Sequence, residues 1–221
     1  MPWQGATPGT WPALRDRLAA ERTAAPHEPW SAGVRVTMRE PRSGRVFDGR
    51  GGIAVAPGRA LRMILVGGAG TTLLDAWVTR ARWRVAVPPL HLVRRGGADE
   101  PRDLPVGFLR WWFFTPLEGQ LFAASDAPPG PTWLLRDGAA VVELRVGTCD
   151  RGELRTASRR VGGRTERVEE CRERAVPRPG DWVRYRDEAS GLGVDLVVES
   201  VRGSLPDEEA FRDPDSSGAA P

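Results

Sequence analysis

LRMILVGGAGTTLLDAWVT, residues Leu61–Thr79, decides the fold class. Two runs rich in β-branched and large apolar residues flank the glycine-rich Gly67–Gly70. Each run is strand-length rather than helix-length, so the segment reads as a hairpin. Placing Val66 opposite Thr71 sets Leu65 against Thr72, Met63 against Leu74 and Leu61 against Ala76. Arg62 then shares the other face with Asp75. One face is apolar and the other carries opposite charges, which makes the register self-consistent. Gly67–Thr72 is not a phosphate loop, because it has no lysine and leads into a strand rather than a helix.

The same alternation extends outward on both sides. Val34, Val36 and Met38 alternate with Arg35, Thr37 and Arg39, as on a half-buried strand. After the Pro41–Gly44 turn, Arg45–Ala56 reads as a strand pair or one bent strand, with Gly49, Gly51 and Gly52 marking a bulge or kink. Trp83, Val85 and Val87 alternate with Arg82 and Arg84, and Leu90–Val93 makes a short strand after Pro88–Pro89. Further strands are expected at Leu121–Ala124, Trp133–Arg136, Ala140–Thr148, Glu153–Val161, Arg164–Arg174, Asp181–Arg186 and Gly193–Val201. Gly162–Gly163 is a hairpin turn between two of them. Trp11–Ala24 reads as a helix, with Trp11, Leu14 and Leu18 on one stripe. The order is one helix, about six strands, a short helical insert and about five more strands, joined by hairpin-length turns. It predicts a mainly β chain with a few helices (α+β), built as an antiparallel meander curved by glycines. A closed barrel would need the two edge strands to meet.

The insert is LPVGFLRWWFF, Leu104–Phe114. A run this apolar must plug a core, cover a pocket, or dock on a membrane or partner. The rest of the chain reads as a flexible 1–10, a single domain over 11–203, and a disordered acidic, small-residue tail over 204–221.

Composition narrows the function. The chain has 221 residues, net charge +3 and 32 basic residues, every one an arginine. They are scattered at alternate strand positions, like a solvated sheet face, whereas a nucleic-acid binder clusters its charge. No nucleic acid is expected as a partner. His27 and His91 have no cysteine or carboxylate at ligand spacing, so neither a metal nor a cofactor is expected. No Gly-x-Ser-x-Gly elbow is present, and the adjacent Glu169–Glu170 would alternate faces on a strand, so no enzyme is expected. No apolar run is long enough for a membrane helix. Met1–Thr10 has neither the basic start nor the apolar core of a signal peptide. Folding the meander about Gly162–Gly163 puts Cys171 opposite Leu154 and Cys149 near Glu153. A Cys149–Cys171 disulfide is then feasible if the strand ends curl together; two separate buried thiols are the alternative.

The stretch Gly49–Trp77, GRGGIAVAPGRALRMILVGGAGTTLLDAW, resembles the bacterial lipoprotein-carrier family of LolA and LolB relatives. The matching features are a small-residue strand, a proline turn, a strand opening Leu61–Arg62, a glycine-bounded hairpin and a strand ending in an aromatic. The resemblance implies a strongly curved antiparallel sheet forming an open half-barrel, covered by a helical lid at 103–117. It implies a cavity for acyl chains of lipoprotein or lipid, facing Val36, Met38, Ile53, Val55, Leu61, Met63, Leu65, Leu74, Trp83 and Val85. Leu109, Trp112 and Phe113 would face it from the lid. It also implies a monomer in the periplasm or anchored to the outer membrane, meeting an envelope donor or acceptor protein, with peripheral or lipid-anchored membrane contact. The alternative is an envelope interaction protein with a filled β-barrel core and no cavity. One departure is specific. Carriers of this family place an arginine before the turn proline, where it latches the empty lid. Ala56 stands there in this chain, so the latch would be absent or supplied by a neighbour such as Arg59 or Arg62.

Overall fold

The Leu61–Thr79 hairpin is present, but with a shifted register. In the computed structural model, which describes residues 5, 9–41, 43–98, 101, 103–114, 117–174, 176–203 and 205–215, Leu65 faces Leu74, Met63 faces Ala76 and Leu61 faces Val78. Val66 faces Thr72, one residue beyond expectation, and a bulge between Leu65 and Val66 adds a second, so the pairs from Leu65 to Leu61 move by two. The shift keeps each side chain on its face, so the apolar stripe and the Arg62–Asp75 pair both survive. Arg62 Nε lies 2.6 Å from Asp75 Oδ1.

The described elements are α1 (Trp11–Thr23), β1 (Trp30–Arg39), β2 (Val46–Ala56), β3 (Ala60–Val66), β4 (Thr72–Thr79), β5 (Trp83–Val87), β6 (Leu92–Gly96) and α2 (Val106–Phe114). After α2 come β7 (Gln120–Ser125), β8 (Thr132–Asp137), β9 (Ala140–Cys149), β10 (Gly152–Val161), β11 (Arg164–Arg172), β12 (Trp182–Asp187) and β13 (Gly193–Val201). All 13 strands form one sheet in the order β6-β5-β4-β3-β2-β1-β13-β12-β11-β10-β9-β8-β7. Every pairing among the described strands is antiparallel, and β6 and β7 remain as separate edges, so the sheet is an open half-barrel. The step that makes it one sheet is long-range. The first strand pairs the last, with Val36 opposite Leu196 and Met38 opposite Val194.

Several local expectations are corrected. Of the two readings of 45–56, the single strand holds: residues 46–56 keep unbroken register to both neighbours, without the bulge. Its Gly51 is required by close approach, since a Cβ there would collide with the Ile64 carbonyl oxygen. His91 lies in a left-handed turn at φ 49° between a short 3-10 turn and β6, not on a strand face. Residues 205–215 of the expected tail lie against the sheet. There Glu208–Phe211 forms a 3-10 turn, and Phe211 is buried against Ala56 and Ala60 on the outer face of the sheet. Trp77 Nε1 donates to the Phe211 carbonyl at 2.9 Å. Glu208 takes both guanidinium nitrogens of Arg59, and Asp215 joins Arg84 to Arg95. Acidic composition had suggested disorder, but here the acidic side chains meet an arginine-rich outer wall. Residues 1–4, 6–8, 204 and 216–221 lie outside the described set.

Cys149 and Cys171 are joined in a disulfide with Cα atoms 6.1 Å apart. It ties the end of β9 to the end of β11, and Cys171 pairs with Leu154 across β10.

Candidate functional site

The concave face of the sheet is occupied by α2. Its nine residues Val106–Phe114 have no polar stripe, and seven of them are buried. A helix that is apolar all round must be enclosed on all sides. Leu14 and Leu18 of α1 join the same core, and Trp133 Nε1 donates to the Leu14 carbonyl at 2.9 Å. Phe108 stacks on Tyr185 with ring centroids 4.7 Å apart, and Phe113 packs against Trp30 and Phe108. The residues expected to face a ligand all lie in this one cluster. Val36, Ile53, Val55, Leu61, Met63, Leu65, Leu74, Trp83 and Val85 are buried in it, with Leu109 and Trp112 of α2, while Met38 and Phe113 pack at its edge.

Beside α2 a cavity of about 100 Å³ remains. Of the expected residues, only Ile53, Trp112 and Phe113 line it. The others are covered by α2 or by one another. The cavity lies toward the β1–β13–β12 seam, where Trp30, Val34, Trp182, Val183, Leu196 and Val198 form the wall. Sequence patterning missed that wall because it depends on pairing β1 with β13. The cavity's lining residues Ala25, Pro26, Pro57, Phe114 and Leu117 also line an outer groove of about 470 Å³.

The inner face of β10–β12 is polar, which corrects the reading of alternating arginines as a solvated face. Arg155, Arg159, Arg164, Glu166 and Glu170 share the inward side with Ala157 and Val168. Arg164 Nη2 lies 2.6 Å from Glu166 Oε1 and 3.0 Å from Asp187 Oδ2, and the Tyr185 hydroxyl donates to Glu166 at 2.9 Å. The Tyr185 hydroxyl is held far above its ordinary value, first by burial and then by Glu166. The lid tryptophans rest on this ladder. Arg159 lies over the Trp111 ring at 5.8 Å, and Trp112 Nε1 donates to Glu170 at 3.4 Å. Glu170 keeps 15% side-chain exposure. Burial still pushes its carboxyl up to about 7, against the opposing pull of Arg155 and the Trp112 bond.

Neither Arg59 nor Arg62 serves as the latch expected from Ala56. Their side chains bond Glu208 and Asp75 instead. The lid's flanks are held from elsewhere. Arg110 donates to the carbonyls of Thr79, Gly97 and Ala98, and Arg22 of α1 donates to those of Leu117 and Gly119. Arg155 ties α1 to the sheet through Glu21 and Glu153. Among the described residues, the one cluster with metal-ligating side chains is Cys149, Asp150 and Cys171, and both its sulfurs are taken up in the disulfide. No described helix is long and apolar enough to cross a membrane.

No family model matches the chain, and no curated protein does. Solved structures do. The fold is similar to that of a LolA superfamily protein from Nitrosomonas europaea, with TM-score 0.58 and 12% identity, covering 90% of this chain and 97% of that one. A domain from Vibrio parahaemolyticus named for outer membrane lipoprotein sorting aligns with TM-score 0.56 and 9% identity, over 89% of this chain and 97% of that one. A DUF1329 family protein from Desulfovibrio piger gives 0.50 and 12%, over 91% and 96%. The chain therefore has the LolA-type fold, an open half-barrel with helices on its concave face.

Proposed function

We propose that this protein binds and hands on acyl chains of lipoprotein or lipid in the bacterial cell envelope, with α2 as a lid that vacates the concave face. The observation that carries this reading is the apolar α2 lying in an open sheet beside a cavity of about 100 Å³ that shares part of its lining with an outer groove. Ligand pockets run to roughly 300–1,000 Å³, so with α2 in place the cavity is too small for an acyl chain, and loading must enlarge it. Moving α2 would open the concave face that carries Val36, Met38, Ile53, Val55, Leu61, Met63, Leu65, Leu74, Trp83 and Val85.

Energetics fit a removable lid. Apolar contact to the β1–β5 side favours closure. On the β10–β12 side the lid buries charged groups, whose desolvation offsets much of their mutual attraction. Opening returns water to Glu170 and Arg159, so the loss of apolar burial is partly compensated. Cargo binding needs the same balance. Each buried CH₂ contributes about 0.8 kcal/mol, and several fully buried chains would exceed the practical affinity limit of about 18–21 kcal/mol. A carrier that releases cargo therefore needs a competitor for the site, and α2 is that competitor.

Native mass spectrometry of protein from membrane-containing cells, with titration of a fluorescent fatty-acyl probe, tests the reading. Bound lipid and saturable uptake are expected, with Trp112→Ala raising probe affinity by weakening the lid. Absence of saturable uptake, with Trp112→Ala only destabilising the fold, would favour a permanently filled core.

A further inference from the structure

The cavity is not apolar throughout. Glu170 and Asp181 line it together with Trp30, Trp112 and Trp182. Asp181 is 4% exposed. Its Oδ2 accepts the Arg178 backbone N–H at 2.8 Å, while its Oδ1 accepts no hydrogen bond and has Arg151 Nε at 3.6 Å. A buried acceptor left without a hydrogen bond is costly, and a charged one more so. Glu170 is also thinly served, with the Trp112 bond at 3.4 Å on Oε1 and Arg172 Nε at 3.5 Å from Oε2. Asp181 adds to the upward push on the Glu170 carboxyl, so the two acids act on each other.

Arg155 and Arg172 also line the cavity, and both are committed. Arg155 meets Glu21 and Glu153, Arg172 lies beside Glu170, and outside the wall Arg151 donates to the Pro179 carbonyl. What the cavity wall lacks is a compact donor of positive charge. An ammonium group supplies three N–H donors on a small head. Aromatic walls tolerate it better than aliphatic ones, since ring faces attract cations. A space of about 100 Å³ suits such a head and its first methylenes, not a whole acyl chain.

We propose that the cavity takes the primary ammonium group of an acylated ligand, with Glu170 and Asp181 as its acceptors. The proposal rests on the acyl-chain reading and narrows its cargo to amphiphiles bearing a free amine close to their chains. Two sources share that chemistry: an aminophospholipid headgroup and the free α-amine of a lipidated polypeptide.

Tryptophan fluorescence titrations with dodecylammonium, dodecanol and dodecyl sulfate, at about pH 8, test it. An alkylammonium, like a lysine side chain, is charged there. Dodecylammonium is expected to bind at least about tenfold more tightly than dodecanol, a difference of about 1.4 kcal/mol, with dodecyl sulfate weakest. Glu170→Gln and Asp181→Asn should each bring the dodecylammonium-to-dodecanol ratio toward one. Asp181→Asn also alters the turn at Arg178, so Glu170→Gln carries the test alone if that variant misfolds. Equal affinity for dodecylammonium and dodecanol, or tighter dodecyl sulfate, overturns the ammonium site and leaves the acyl-chain reading standing. Absence of binding by all three removes both. For the source, a diacylated lipopeptide with a free or acetylated α-amine is compared in parallel with phosphatidylethanolamine or phosphatidylglycerol vesicles. A preference for the free amine in either pair supports the proposal and names the source; no preference in either overturns it.

Discussion

Glu170→Gln should change how stability depends on pH, and the sign is fixed by the structure. Burial raises the Glu170 carboxyl in the folded protein from an ordinary 4.5 to about 7. Between those values the folded state holds a proton that the unfolded state has released. Stability therefore falls as pH rises through that window, and the loss is complete above about pH 7. A shift of this size, at 1.36 kcal/mol per unit, corresponds to roughly 3 kcal/mol. With 15% of the side chain still exposed, the realised value should lie at or below that figure. Glutamine has no proton to lose, so the variant should match the wild type near pH 4 and gain on it steadily to pH 8. Urea unfolding of both proteins across that range measures the difference, and other titrating groups cancel in it. A difference that shrinks with rising pH would refute the reasoning. It would mean that Arg155 and Arg172 outweigh burial and that the ionised carboxylate stabilises the closed form.

Replacing Cys149 and Cys171 together by serine should lower stability by about 3 kcal/mol. The bridge spans a sequence separation of 22 residues, and closing a loop of that size has about that entropic worth. An unchanged urea midpoint would show that the strand ladder already fixes these ends. Phe211→Ala should destabilise the protein by about 2 kcal/mol, the worth of burying one such ring. It should also loosen 205–215 from the outer sheet face, read as faster proteolysis of that segment. A loss below about 0.5 kcal/mol, typical of plain surface sites, would mean that the segment does not pack there in solution.

How much was legible in the sequence depended on the range of the interactions. Period-two alternation in Val34–Met38 and Leu61–Leu65 gave the strands and their inward faces, because each face is set by residues two apart. The Gly162–Gly163 turn fixed its hairpin register, and so the Leu154–Cys171 pairing. The Leu61–Thr79 register was two residues off because neither the wider loop, closing at Val66–Thr72, nor the bulge at Leu65–Val66 leaves a mark on the alternation. The β1–β13 pairing joins segments some 160 residues apart, and no local pattern announces it; the cavity wall at Trp30, Leu196 and Val198 went unread with it. On β10 and β11 both faces carry charge, so alternation could not say which side Arg155, Arg159 and Glu166 occupy. The Leu104–Phe114 helix could be read as buried, but its neighbours could not. Its contact with a charged wall, rather than an oily one, emerges only from the folded sheet.

The most direct test of the lid is amide hydrogen exchange across α2, measured on empty protein and on protein saturated with an acyl ligand. If α2 competes with cargo for the concave face, the amides of Val106–Phe114 exchange faster in the loaded protein, while those of the β1–β13 pair stay protected. Equal protection of α2 in both states, under confirmed saturation, would contradict the account and make the helix a permanent part of the core.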